Sequence, residues 1–357
     1  MNLTVSENSK ENKSYGIGLD VIRIIAMFFV LMLHSTSFNG FESEGIHSLV
    51  TAIAGAGRYL SYSCVPLFLL LTGYLNVNKK PELAYYLKLI KILIEFYVCA
   101  FAVALFYTVY NNDGASFFRM MGKASILVFP HFSWYMRMYI GLYLLAPFFN
   151  YIIDSISMRQ ALLLAVISVI LFSNPFIIDF WQWGYPMLYY FIGAIIRKTR
   201  FKAKKLYGII VIPIACALGA LLFKYPKVPR FNIENYHNII CVIISVSLFL
   251  LLYDIKCDPA HKSNKVLVKI TRMIADVSMS TYLVSIIFET LTGRLFAKTT
   301  LVTYTEKFPY LLYLTPIKFV LSVICALLIH LISGYIIKLV MPIIDNAVLK
   351  IVKRKEQ

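Results

Sequence analysis

Charged residues are scarce in this sequence, and acidic residues are the scarcest of them. Only 15% of the 357 residues are charged, with 18 Asp and Glu against 35 Lys and Arg, whereas 59% are hydrophobic. The polar stretches between the apolar runs are too short to fold into a separate soluble domain. The composition therefore excludes a soluble enzyme and predicts an all-α, polytopic integral membrane protein.

Motifs that bind metals or nucleotides are also missing. The sequence has no CxxC pair, no HExxH helix and no phosphate-binding P-loop, so we expect neither a metal site nor a bound cofactor. All cysteines except Cys257 lie inside apolar runs, which is typical of small buried side chains; an acyl-thioester on Cys64 is the alternative. Five further histidines lack ligand spacing: His47, His131, His237 and His261 fall in loops, and His330 is interpreted as a helix-packing residue.

Ten apolar runs predict ten transmembrane helices, because a hydrocarbon core of about 30 Å needs about 20 helical residues. With the N-terminus inside, the cytoplasmic segments collect roughly 23 of the 35 basic residues. The net charge of +17 is therefore interpreted as a topology signal, with both termini cytoplasmic, and not as a nucleic-acid-binding surface. We divide the chain into a short cytoplasmic tail (1–16), a single transmembrane domain (17–340) and a basic cytoplasmic tail (341–357). The predicted runs cover residues 19–38, 49–77, 92–110, 131–149, 161–172, 185–196, 206–223, 239–253, 274–295 and 313–337.

The first run, LDVIRIIAMFFVLMLHSTSF, is unusual because it carries Asp20, Arg23 and His34. An arginine in a spanning helix costs about 2.5–3.5 kcal/mol, so a chain that keeps one usually uses it. Eleven steps of about 100° return Arg23 and His34 to one helix face, about 16 Å apart along the axis, with Asp20 one turn before Arg23. This stripe predicts a functional site. The alternative is structural, with an Asp20–Arg23 ion pair at the helix end and His34 as a satisfied polar residue near the opposite interface.

The second and fourth runs carry residues that shape helices. Pro66 predicts a bend in the second run because a proline removes a backbone hydrogen bond, and Gly73 lets another backbone come close. At the head of the fourth run, Trp134, Tyr135 and Tyr139 predict an aromatic belt at the membrane interface in preference to a substrate-binding surface.

Several motifs together carry a family resemblance. Ten residues separate Arg23 from His34 on the first run, VPLFLLLTGYL follows on the second and SWYMRMYIGLYLLAPFF on the fourth. With YYFIGAIIRK on the sixth run and VSMSTYLVS on the ninth, the sequence from Leu19 to about Lys338 resembles the membrane acyltransferase-3 family. Members of that family are ten-helix membrane proteins that O-acylate cell-surface glycans and related molecules.

The resemblance implies roles for individual residues. His34 takes the position of the essential histidine and Arg23 that of the essential arginine, with Asp20 supporting. Lys88 and Lys91 match basic positions that the family associates with acyl-CoA. Nearby Lys80 is added to this acyl-CoA-binding set.

The chain departs from the family pattern at several positions. Lys88 and Lys91 stand where arginines are common. An arginine can bind a phosphate through two parallel hydrogen bonds, whereas a lysine offers it only a point charge. Glu95 stands where a proline is common, and Ser285 where a histidine is common. Many members also carry a fused extracellular transferase domain, and we expect none here.

The expected function is an acyl-CoA-dependent O-acyltransferase that moves acetyl from cytoplasmic acetyl-CoA to a hydroxyl of a cell-surface or lipid-linked saccharide. A hydroxyl needs a base to become a good nucleophile, and His34 suits that task, either as the base or as an acyl carrier. Acyl-CoA is anionic, which matches a basic inner mouth made of Arg23 and Lys79, Lys80, Lys88 and Lys91. The acceptor pocket is expected in the outer loops 173–183 and 298–308.

Two other functions remain open. One is a glycan transporter or flippase with the polar stripe along its path, although no internal repeat supports it. The other is an acyl-donor module that feeds a separate extracytoplasmic transferase. The expected partners are acetyl-CoA, a saccharide acceptor and membrane lipids, with a second copy of the chain or the separate transferase as protein partners. The expected location is a bacterial plasma membrane.

Overall fold

The computed structural model describes residues 15–129, 133–173, 179–224, 235–257 and 262–355. Within these residues the chain is almost entirely helical, with a two-residue antiparallel pairing of β1 (Tyr15–Gly16) and β2 (Lys256–Cys257) and a 3₁₀-helix over Asp179–Gly184. The α-helices are α1 (Gly18–Ser37), α2 (Phe41–Glu44), α3 (Leu49–Ser61), α4 (Cys64–Asn76), α5 (Leu83–Asn111), α6 (Gly114–Ser125), α7 (Ser133–Ser155), α8 (Met158–Ser173), α9 (Tyr185–Thr199), α10 (Lys205–Lys224), α11 (Ile239–Leu252), α12 (Lys262–Asp276), α13 (Ser278–Ala297) and α14 (Tyr304–Lys355).

Each of the ten predicted apolar runs contains a helix, which confirms an all-α, multi-pass membrane protein. In the part of the chain that the structure describes, six helical segments are long and apolar enough to cross a membrane, and a seventh is formed if α12 and α13 are counted as one bent span. The helices α8 and α11 are apolar but shorter, with 16 and 14 residues. The count of ten spans and the cytoplasmic termini stay predictions.

The second predicted run is broken into α3 and α4 at Tyr62 and Ser63. Pro66 therefore lies in the first turn of α4, where a backbone N–H would have no partner within the helix. The break between α3 and α4 therefore precedes Pro66, and Pro66 does not interrupt a helix. The Ser63 hydroxyl donates to the carbonyl of Leu60 at 2.6 Å and helps to end α3.

The close approach predicted at Gly73 is confirmed. A Cβ atom at Gly73 would overlap the backbone carbonyl of Tyr190, and one at Gly193 would overlap that of Leu70. The helices α4 and α9 therefore touch backbone to backbone through one glycine on each. Such packing fixes the two helices rigidly, because no side chain lies between them to adjust.

The helix α1 lies at the centre of the bundle, in contact with α3, α4, α11, α12, α13 and α14. Ile22, Ala26 and Leu31 on α1 have no exposed surface. The first turn of α1 is held by α11, because Ile17 and Gly18 donate backbone hydrogen bonds to the carbonyl of Ile255 at 3.0 and 3.1 Å. We call the Arg23 end of α1 its inner end and the His34 end its outer end, after the predicted orientation.

The last two predicted runs differ most from the structure. The ninth begins within α12, but α13 turns away from α12 by 67° at Val277. The tenth extends at both ends into α14, a helix of 52 residues that continues through the stretch predicted as a basic tail. The N-terminal residues 1–14, together with His131 and His261, lie outside the described residues.

Candidate active site

A cavity of about 360 Å³ lies beside the inner half of α1, and we call it the Arg23 cavity. Its walls come from α1, α4, α5, α7 and α13. Most of the lining is apolar or aromatic, with a few polar side chains that include Arg23, Thr72 and Glu95. A concave, largely apolar site with a few placed polar groups is the usual form of a small-molecule pocket.

Arg23 forms the ion pair that the structural alternative expects and also lines the cavity. Its Nη1 donates to Oδ1 of Asp20 at 2.7 Å, and Nε of Arg272 lies 3.9 Å from Oδ2 of the same carboxylate. Asp20 is therefore held between two guanidinium groups. Its charge orients Arg23, while 27% of the Arg23 side chain stays exposed.

One wall of the Arg23 cavity is a stripe of tyrosines from α7. Tyr135, Tyr139 and Tyr143 recur every four residues and so share one helix face, and all three line the cavity. The rings of Tyr135 and Tyr139 stack at 6.0 Å, and Tyr143 stacks on Tyr85 at 4.3 Å. The predicted interfacial belt is therefore wrong for Tyr135 and Tyr139, because their helix face points into the bundle. Trp134 is more exposed and stacks on Tyr236.

His34 lies beyond Val30, which lines the Arg23 cavity and is seven residues from Arg23. The His34 side chain is half-buried, and its ring centroid is 5.3 Å from that of Phe38. Arg23 and His34 thus serve opposite ends of the same continuous helix, as the spacing predicts.

A second cavity, of about 470 Å³, lies at the outer end, and we call it the Phe38 cavity. It lies between residues 38–44 and 302–307, so part of it comes from the loop 298–308 in which an acceptor pocket was expected. Phe38, which contacts His34, is 54% exposed here. Burial raises the pKa of Glu44, but hydrogen bonds from the backbone and hydroxyl of Thr305 outweigh it and hold that pKa below its ordinary value. At neutral pH Glu44 therefore supplies a negative charge to the Phe38 cavity, and Lys307 on the same lining supplies a positive one.

The lysines that are predicted to bind acyl-CoA are exposed. Lys88 and Lys91 lie on α5, and Lys88, Ile92 and Glu95 follow the spacing of one helix face. Ile92 and Glu95 line the Arg23 cavity, so both lysines lie one to two turns from its lining on the same stripe. Lys80 is exposed in the connection between α4 and α5.

Residues 17–336 match the family model described as an acyltransferase domain, acyltransferase-3. This match covers most of the chain. The chain belongs to the acyltransferase-3 family. No match was found among curated proteins or among solved structures. The protein is therefore a membrane acyltransferase, and the two cavities along α1 are the candidate parts of its active site.

Glu95 and Ser285, the residues at two departures from the family pattern, both make hydrogen bonds within the protein. Glu95, on the wall of the Arg23 cavity, accepts a hydrogen bond from the Ser280 hydroxyl, and Nδ1 of His330 lies 3.8 Å from its Oε1. His330 thus faces a carboxylate, beyond the packing role predicted for it. Ser285 donates to the carbonyl of Tyr282 at 2.8 Å within its own helix. No local pattern predicts the Glu95 cluster, because its members come from α5, α13 and α14.

The outer end of α1 is held by a buried ion pair that the sequence analysis does not predict. Nζ of Lys318 lies 2.8 and 2.9 Å from the carboxylate oxygens of Glu289, and the two side chains are 4% and 2% exposed. Lys318 also donates to the hydroxyl of Ser35 at 2.6 Å, as Thr315 does at 2.9 Å. The residue after His34 is therefore fixed by α14, and Glu289 of α13 holds Lys318 in place. The sequence signal for this pair is one charged residue in each of two apolar runs, Glu289 in the ninth and Lys318 in the tenth.

A second unpredicted group surrounds Arg58 of α3, whose side chain is 1% exposed. Its Nη1 donates to the hydroxyls of Thr36 and Ser37, each at 2.8 Å, and its Nη2 pairs with Glu42. The guanidinium also lies 5.6 Å from the ring centre of Phe41. The last turn of α1 and the segment that follows it are thereby tied to α3.

Among the residues that the structure describes, no group of three or more His, Cys, Asp and Glu side chains has an arrangement that could hold a metal ion.

Proposed function

We propose that this acyltransferase transfers an acyl group, acetyl in the simplest case, from acyl-CoA to a hydroxyl group of a cell-surface or lipid-linked saccharide. One observation carries the proposal: a single helix, α1, supplies Arg23 to one cavity and, through the contact of His34 with Phe38, reaches a second. Donor and acceptor can then approach α1 from opposite ends. Transfer across a membrane needs such an arrangement.

The Arg23 cavity supports an acyl-CoA donor. Arg23 lies on its wall, and Lys88 and Lys91 lie on the stripe that leads to it, so cations meet the anionic donor along its path. The phosphates would meet the lysines, and the thioester would enter among the tyrosines. Because Arg23 lies about 16 Å along α1 from His34, its guanidinium would bind a phosphate of acyl-CoA and not the reacting carbonyl.

His34 would act as the base in this reaction. Its imidazole takes the proton of the acceptor hydroxyl while the hydroxyl oxygen forms a bond to the thioester carbon. The C–S bond then breaks, and the departing CoA sulfur takes the proton from the imidazolium. A variant of this route places the acyl group on His34 before the acceptor takes it.

The Phe38 cavity supports a saccharide as the acceptor. An exposed aromatic ring, the charged carboxylate of Glu44 and the polar side chains of Asn39 and Ser43 suit the apolar ring face and the hydroxyls of a sugar. The same cavity lies one aromatic ring from His34. A hydroxyl bound there would be close to the proposed base.

The test is acyl transfer in membrane vesicles from cells that express the chain, with radiolabelled acetyl-CoA supplied on the cytoplasmic side. We expect label in the saccharide fraction with the native protein and at least a 100-fold loss with His34→Ala, since a positioned base contributes about 10²–10⁴-fold. Arg23→Ala is expected to lose transfer as well. Arg159→Ala, which removes an exposed arginine at the start of α8, is the matched control and should retain transfer.

Transfer that survives His34→Ala at equal protein levels would contradict the proposed role of His34. Release of CoA with label held on the protein, and none on saccharide, would favour the acyl-donor module. Movement of an already acylated glycan without release of CoA would favour the transporter.

A further inference from the structure

A third cavity, of about 730 Å³, lies at the inner end of the bundle where α9, α4 and α11 end, and we call it the basic cavity. Five basic side chains line it against only two acidic ones. The basic residues are Arg197, Lys198, Arg200, Lys202 and Lys256, and the acidic residues are Asp154 and Asp254.

Both carboxylates of the basic cavity already have lysine partners. Nζ of Lys198 lies 3.8 Å from Asp154, and Nζ of Lys205 lies 3.8 Å from Asp254. Of the four other basic side chains of the cavity, Arg197 donates to the Tyr74 hydroxyl at 3.1 Å. In the described part of the chain, no carboxylate lies within 4.0 Å of the remaining three. These three cations are Arg200, Lys202 and Lys256. The cavity therefore presents positive charge that a bound anion would neutralise.

The backbone at Arg200 sets where α9 ends beside the basic cavity. Arg200 ends α9 in the left-handed conformation, with φ of 51° and ψ of 34°. Glycine is the usual residue at such a helix end, because a side chain makes this conformation unfavourable. The chain therefore turns sharply at Arg200, on the wall of the basic cavity.

An apolar groove of about 590 Å³ adjoins the basic cavity, between α1, α10 and α11. Its lining is aliphatic and aromatic and includes Ile24, Phe28 and Ile209, of which Ile209 is 59% exposed. The groove therefore opens on the outside of the bundle. The two spaces are neighbours at the end of α11, because Leu252 lines the groove and the next residue, Tyr253, lines the basic cavity.

We propose that the basic cavity and the apolar groove together bind one anionic glycerophospholipid. Its phosphate lies among Arg200, Lys202 and Lys256, and one acyl chain lies in the groove beside Ile209. The charge complementarity selects an anion, and the adjoining groove selects an amphiphile over a free nucleotide or phosphate. The distribution of basic residues predicts that this end faces the cytoplasmic leaflet, where anionic lipids are found. This site is additional to the proposed acyl transfer and does not depend on it.

The first experiment measures how many dioleoyl-phosphatidylglycerol molecules the purified full-length chain retains, by native mass spectrometry during a lipid titration. The variant carries Arg200→Gln, Lys202→Gln and Lys256→Gln. The matched control carries Arg159→Gln, Lys204→Gln and Lys338→Gln, which removes one arginine and two lysines exposed at the same predicted membrane side. We expect the tightest lipid to bind at least about tenfold more weakly to the variant, with little change in the control. If lipid binding weakened equally in the variant and the control, general surface charge would explain the effect and the proposed lipid site would be wrong.

The second experiment separates the possible sources of phosphate. Ile209→Trp, which fills the exposed part of the groove, should weaken dioleoyl-phosphatidylglycerol but not dihexanoyl-phosphatidylglycerol, whose chains are too short to need the groove. Neither glycerol 3-phosphate nor coenzyme A should displace the dioleoyl lipid at equal concentration. Displacement by coenzyme A would assign the basic cavity to nucleotide phosphates and overturn the lipid site.

Discussion

The two ends of α1 treat charge in opposite ways. At the inner end, Arg23 keeps 27% of its side chain exposed and lines a cavity, with Asp20 as its partner. At the outer end, the charges of Arg58 and Lys318 are almost completely buried and are used up in contacts within the protein. Both ends contain cations in apolar surroundings, but of Arg23, Arg58 and Lys318 only Arg23 lies on a cavity wall where a ligand can reach it.

This difference separates functional from architectural charges among residues that look alike in sequence. A buried charge whose contacts all lie within the protein fixes the helices around it, whereas a charge on a cavity wall can meet a substrate. Lys318 and Arg58 hold Ser35, Thr36 and Ser37, so they fix the turn that carries His34. The outer charges are therefore expected to control stability, and Arg23 is expected to control activity.

The largest effect should come from breaking the buried pair at the outer end. Lys318→Met leaves the Glu289 carboxylate buried without its cation, and we expect a loss of about 3–5 kcal/mol of unfolding free energy. Denaturant unfolding of the purified protein in detergent measures this. Lys318→Met combined with Glu289→Leu should recover most of the loss, because two apolar side chains leave no buried charge. A double variant as unstable as the single one would contradict this account.

The inner half is also rigid, but through backbone packing instead of charge. Gly73→Ala places a methyl group against the carbonyl of Tyr190, and we expect it to destabilise the protein by about 2 kcal/mol as α4 and α9 separate. Gly122→Ala is the matched control, because a Cβ atom there meets no atom within 4 Å. Its thermal unfolding in detergent should equal that of the native protein or exceed it slightly. Equal stability of the two variants would show that the α4–α9 contact is loose.

The sequence predicts the helices well because apolar runs and helix-ending signals are local. Gly73 correctly marks a close approach of two backbones, and the spacing of Arg23 and His34 correctly separates them along one helix. Sequence spacing does not reveal which helices meet, so the Lys318–Glu289 pair and the Glu95 cluster were missed. The tyrosines of α7 show the same limit, since an aromatic stripe can face lipid or a cavity and only tertiary packing decides between them.

A smaller, pH-dependent effect is expected at Glu44 beside the Phe38 cavity. Its pKa in the folded protein lies below the ordinary value of 4.5, so its contribution to stability is full above that value and is lost as the pH falls through the folded pKa. Thr305→Val removes the hydroxyl donor and should lower stability by about 1 kcal/mol at pH 7. The difference between the native protein and this variant, followed by thermal unfolding from pH 7 to pH 3, should shrink below about pH 4.5. A constant difference over that range would exclude a charged Glu44 as its cause.

The smallest change in stability is expected at Arg23, and it is the sharpest test of the comparison between the two ends. Arg23→Gln removes a partly exposed cation, while Arg272 stays near Asp20, so we expect a loss of less than about 1 kcal/mol in unfolding free energy. Acyl transfer by the same preparation should nevertheless fall at least tenfold, because Arg23 is the one lysine or arginine among the described residues that line the Arg23 cavity. Lys318→Met, at the outer end, is expected to show a large loss of stability in the same measurement. If Arg23→Gln unfolded as readily as Lys318→Met, the inner charge would be architectural too, and the ligand-binding role of the Arg23 cavity would have to rest on its tyrosines alone.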